Sequence, residues 1–104
     1  MALSLDKFAA SLVESGLVAE TDLSALLAEE RPADAEQLAR RLVKHKLLTA
    51  YQAQQAFAGK AKALALGNYL VLDKLGQGGM GMVLKARHRR MNRIVALKVL
   101  SRPS

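Results

Sequence analysis

The sequence predicts an α+β chain, with a small helical bundle followed by a three-stranded antiparallel meander. Three observations carry this. Apolar residues recur at helical spacing through residues 1–59, between capping and breaking residues. Strand-type alternation then takes over, clearest in Ile94-Val-Ala-Leu-Lys-Val-Leu. Between the two lies a glycine-rich run, Gly76-Gln-Gly-Gly-Met-Gly, of the kind that joins strands or cradles a ligand.

The helical elements follow in order. Ser4 is a candidate N-cap, Leu5, Phe8, Ala9, Leu12 and Val13 share one face, and Gly16 ends the run as a C′ residue. Thr21 or Asp22 is read as the cap of a second helix carrying Leu23, Leu26 and Leu27, which Arg31-Pro32 interrupts. Asp34 caps a third helix with the stripe Ala35, Leu38, Ala39, Leu42 and Val43. Thr49 with Gln52 fits a capping box, and the fourth helix presents Tyr51, Gln54 or Gln55, and Phe57 before Gly59. Phe8–Leu27 laid on Leu38–Phe57 shows a weak internal repeat: Ala9 meets Ala39, Leu12 meets Leu42, Val13 meets Val43, and Leu17 meets Leu47. One hairpin cannot bury its apolar face alone, whereas two packed together can.

Residues 60–67 form a connector of helix-forming residues, either an extension of the fourth helix or a short linker. The strands are expected over Tyr69–Leu75, Met82–His88 and Arg93–Leu100, with Asn92 left-handed in the last turn. Alternation places Ile94, Ala96, Lys98 and Leu100 on one face of the last strand. Val95, Leu97 and Val99 take the other, which needs a cover. Ser101-Arg-Pro-Ser reads as a polar stop. The expected units are residues 1–59, 60–67 and 68–104.

Composition bounds the function. The chain has 104 residues, a net charge of +7 and no cysteine, so it holds no disulfide and no thiolate metal site. No apolar run approaches the ~18 residues of a membrane span, and the first residues lack the pattern of a signal peptide. A cytoplasmic location is therefore expected. Residues 61–104 hold nine basic residues against Asp73 alone, while residues 1–60 are nearly balanced. Few aromatic residues accompany the basic ones, so a nucleic-acid partner is not expected. His45 and His88 have no metal-ligand spacing.

Two motifs at strand-turn-strand distance carry the functional reading. Gly76, Gly78, Gly81 and Val83 fit Gly-x-Gly-x-x-Gly-x-Val, and Val95-Ala96-Leu97-Lys98 fits Val-Ala-Ile-Lys with Leu for Ile. Backbone amides that approach phosphate oxygens need positions free of side chains, and Lys98 supplies a flexible cation. A Rossmann loop would open a helix, and a Walker loop would end in Gly-Lys-Ser/Thr; here Gly81 is followed by Met82 and a β-rich run.

Together the motifs resemble the opening of a protein kinase domain, most closely in bacterial Ser/Thr kinases. The resemblance covers about the last third of the chain. The helical part is similar, less specifically, to small helical modules placed before such domains. For residues 68–104 the resemblance implies the first strands of a kinase small lobe and a parent reaction of ATP-dependent Ser/Thr phosphorylation. It puts Gly76, Gln77, Gly78, Gly79, Met80, Gly81 and Met82 along the phosphates. Leu75, Val83 and Ala96 fall around adenine, and Lys98 on the α/β-phosphates. Leu84 departs from the pattern, being often aromatic in kinases. The family's catalytic Asp and magnesium-binding Asp have no counterpart here, and His88-Arg89-Arg90 is not the His-Arg-Asp loop. The chain thus reads as a truncated kinase that lacks catalytic and metal residues. Magnesium belongs to the parent, and ATP binding by this chain is expected to be weak or absent. The other reading is a helical module for a protein partner or self-association, with a kinase remnant attached.

Overall fold

A computed structural model describes residues 4–29 and 31–100. The fold is α+β: α1 (Leu5–Glu14), α2 (Glu20–Glu29), α3 (Ala35–Lys44) and α4 (Ala50–Phe57), then a 3₁₀ turn (Ala61–Leu64) and a sheet. The strands are β1 (Ala65–Leu66), β2 (Tyr69–Gly78), β3 (Gly81–His88) and β4 (Ile94–Leu100), in that spatial order and antiparallel throughout. The meander has four strands where the sequence suggested three. The extra one arises in the connector, whose Ala65 and Leu66 fold back on Leu70 and Tyr69 around Gly67 at φ 60°. Ser101-Arg-Pro-Ser lies outside the described residues.

Local chemistry sets the helix ends. Ser4, Asp34 and Thr49 each accept the amide three residues on, and Thr49 with Gln52 completes a capping box. The second helix departs from expectation. It starts at Glu20, and Leu23 N–H bonds Ala19 C=O, so Thr21 and Asp22 lie in its first turn rather than capping it. α1 ends in a Schellman motif: Gly16 N–H bonds Val13 C=O at 3.0 Å and Leu17 N–H bonds Leu12 C=O at 3.1 Å. The end of α3 repeats it bond for bond, Lys46 to Val43 at 3.0 Å and Leu47 to Leu42 at 2.9 Å. Lys46 takes the left-handed place that Gly16 fills in the first hairpin, φ 61° against 79°. The repeat therefore extends from apolar pattern to helix boundaries and cap geometry.

Phe8, Leu12, Leu38 and Leu42 form the fully buried centre, and Phe8 meets Phe57 edge-on at 6.0 Å. On α4 the buried face is Gln52, Ala53 and Ala56, with Tyr51 and Phe57 only half-buried and Gln54 exposed. One apolar cluster runs from the helices through Ala61 and Leu64 to Leu70, Val71 and Leu84 of the sheet. Val99 and Met82 pack on its margin. The bundle thus covers the near part of the sheet, and exposure alternates along β4 with Ile94, Ala96, Lys98 and Leu100 outward.

Polar contacts lock the two halves together. Register shifts leave Leu72 bulged in β2, and the strand's carbonyls there turn to the bundle. Gln52 Nε2 donates to Val71 C=O at 2.8 Å and Thr49 Oγ1 donates to Leu72 C=O. The residues that cap α4 therefore also bind β2. At the other side Arg89 Nη2 donates to Ser15 C=O at 2.9 Å, at the end of α1.

Candidate functional site

β2 and β3 form a tight hairpin. Gly78 pairs with Gly81, leaving Gly79 and Met80 as a two-residue loop. Beside the loop, Gly76 pairs with Val83 and Val83 with Lys98, so these three form one row across three strands. Cross-strand partners share a face, which places Lys98 on the same side of the sheet as the hairpin's inner row. Gly76 through Val83 and Lys98 line an open concavity of about 290 Å³.

The four glycines differ in why they are glycine. Gly81 has φ 135°, and a Cβ there would lie 2.0 Å from Val99 O and 2.9 Å from Leu100 Cα. The sheet itself demands glycine at that position, because β4 passes too close for a side chain. At Gly76, Gly78 and Gly79 an added Cβ would meet nothing within 4 Å. Contacts within the chain leave these three positions unconstrained, so a flat open surface remains along one wall of the concavity.

The other sequence-predicted residues are placed as follows. Leu75 sits at the second register shift of β2, bulged and 58% exposed, outside the concavity. Ala96 pairs with Lys85, two rows from Lys98 on the same exposed face, and also stands outside. Val83 is half-buried and Met80 at the loop tip is 77% exposed. Lys74 Nζ donates to Gln77 Oε1 at 3.0 Å, bracing the hairpin across the bulge. Among the described residues no carboxylate pairs with Lys98, and Asp73 two rows off is occupied by the amide of Lys74 at 2.8 Å.

His88 serves the β3–β4 turn. Its Nδ1 accepts the amides of Arg90 and Met91 at 3.2 and 3.0 Å, and its ring stands edge-on to Tyr69 at 5.0 Å. Asn92 is left-handed at φ 51°, as expected. No group of three His, Cys, Asp or Glu among the described residues could hold a metal ion. No helix among them is long and apolar enough to cross a membrane. The second role of Thr49 and Gln52, bonding β2, has one signal in the sequence, a glutamine inside an apolar helical stripe.

No family model matches this chain, and neither a curated protein nor a solved structure matches it.

Proposed function

We propose that the β2–β3 hairpin and Lys98 form the phosphate-cradling part of a nucleotide site, with ATP as its ligand, in the manner of a Ser/Thr protein kinase small lobe. The observation that carries this is the row Gly76–Val83–Lys98. It sets an exposed cation opposite a hairpin whose Gly76, Gly78 and Gly79 have no steric reason within the chain to be glycine. Such positions allow backbone amides to approach phosphate oxygens without side chains between. Val83 offers apolar contact to a flat base, and Ala96 and Leu75 flank it at greater distance.

The chemistry assigned to these residues is binding and orientation. Lys98 holds phosphate charge, and the hairpin covers it. The carboxylates that the kinase resemblance requires, a base for the substrate hydroxyl and an Asp for magnesium, are not among the residues of the concavity. Phosphotransfer to a protein hydroxyl therefore needs groups from outside it, and the 104-residue chain by itself is proposed to be inactive.

ATP binding is expected to be weak, because a mobile nucleotide must be ordered by one cation and one hairpin. Amide chemical-shift titration with ATP tests this. The expected result is saturable shifts over Gly76–Val83 and at Lys98, with millimolar affinity, abolished in Lys98→Ala. Shifts spread over the helices, or unchanged in Lys98→Ala, would sink the reading.

A further inference from the structure

Two clefts occupy equivalent places in the helical repeat. One, of about 540 Å³, lies between α3 and α4 over Ala39, Val43, Ala53 and Phe57. The other, of about 370 Å³, lies between α1 and α2 over Ala9, Val13, Leu23 and Leu27, which are their counterparts in the repeat. Their rims differ. At the α3–α4 cleft Glu36 and Arg40 neutralise each other in a 2.6 Å ion pair. At the α1–α2 cleft Glu14 and Glu20 stand exposed, with no basic residue in the lining and no ion pair among the described residues. An apolar floor with an uncompensated acidic rim calls for an apolar knob flanked by cations.

The turn between β3 and β4 has that chemistry. Met91 is 60% exposed there, and Arg90 and Arg93 beside it are exposed. Residues 85–93 include no carboxylate to compensate them. The turn does not fill the cleft of its own chain, as the exposure of Met91 shows. Yet the two patches are neighbours: the 2.9 Å bond from Arg89 to Ser15 C=O ties the turn to the residue that follows Glu14. Complementary patches side by side on one surface are the requirement for a closed two-fold contact, in which each copy gives its knob and receives the other's.

We infer that this end of the molecule is a dimer interface. Met91 of each copy enters the α1–α2 cleft of the other, and Arg90 and Arg93 face Glu14 and Glu20 across it. The inference is independent of the nucleotide reading. A contact of this kind is modest in area and salt-sensitive, with the charges setting register and encounter rate.

Sedimentation equilibrium of the 104-residue chain over a range of concentration tests it, with two charge-reversed variants. Glu14→Lys/Glu20→Lys and Arg90→Glu/Arg93→Glu alter only exposed side chains, and circular dichroism melts check that both still fold. The wild-type chain should show a monomer–dimer equilibrium that weakens with added salt. Each variant alone should dimerise at least roughly tenfold more weakly, since like charges then oppose. An equimolar mixture of the two should regain wild-type affinity as a heterodimer, because one contact then keeps its wild-type charges and the other has both signs exchanged, so both are attractive. A chain that is monomeric throughout overturns the inference. So does a mixture that fails to associate, or a dimer indifferent to both reversals, which would place the contact elsewhere, for instance along the edge of β4.

Discussion

The helical half and the sheet half of this protein are held in different ways. In the helical half α1, α3 and α4 are specified locally, by a side-chain cap at one end and a Schellman motif at the other, and all four helices are then buried in a shared apolar centre. In the sheet half the elements depend on distance. β2 is fixed by Gln52 and Thr49 from α4, the β3–β4 turn by Ser15 of α1, and the buried residues Leu70, Val71 and Leu84 belong to the cluster that starts in the helices. Away from that contact the sheet opens to solvent, and all six large apolar residues that are exposed among the described ones, Leu66, Leu75, Met80, Met91, Ile94 and Leu100, lie in the sheet half. The bundle could exist with little help; the sheet needs the bundle.

Substitutions can break this contrast, beginning with the most damaging. Leu42 is fully buried at the centre of the bundle. Leu42→Asp strands a charge there and should cost more than about 4 kcal/mol, unfolding both halves together. Loss of helical signal with the β2 amides still protected would show that the sheet stands alone. Gly81→Ala should cost about 3 kcal/mol or more and act only on the sheet, since its Cβ would run into the backbone of Val99. The expected outcome is lost protection in β4 with the α3 amides unchanged. Gly76→Ala, on the same hairpin, should be within about 0.5 kcal/mol of wild type because its Cβ meets open space.

Gln52→Ala probes the junction itself. It leaves Val71 C=O without its donor and should cost about 1–3 kcal/mol, with faster exchange in β2 than in α1. Equal acceleration everywhere would mean that Gln52 matters only as core. The smallest effect is a gain. Lys46→Gly removes the penalty of a left-handed lysine and should raise stability by about 1 kcal/mol, seen as a higher denaturation midpoint.

These differences also explain what could be read from the sequence. Ser4, Asp34, Thr49, Gly16 and Gly59 announce helix ends because a cap acts within four residues. Thr21 and Asp22 misled because either can cap or sit in a first turn, and here Ala19 precedes them without a capping side chain. Lys46 gave no local sign of a left-handed residue; only its alignment with Gly16 in the repeat does. β1 was hidden because Lys60–Leu66 has helix-forming composition, and its strand exists only through pairing with β2. At the candidate site, Lys98 and the face it shares with Ala96 follow from motif and alternation, whereas the strands expected to stop at Leu75 and resume at Met82 run on to Gly78 and from Gly81, because glycines carry no strand signal of their own. The displacement of Leu75 by a bulge does not, because a bulge is set by the neighbouring strand's register. Arg89 binding Ser15 is a contact between residues far apart in sequence, and no pattern announces it.

Native-state amide exchange tests most directly the claim that the near part of the sheet is stabilised as one unit with the bundle. The slowest amides of Tyr69–Leu72 should open with the same free energy and denaturant dependence as those of α3, while the amides around Gly78–Gly81 exchange far faster. Fast exchange through all of β2 beside a protected α3 would contradict it, because the apolar cluster shared by the two halves would then not hold the sheet in place.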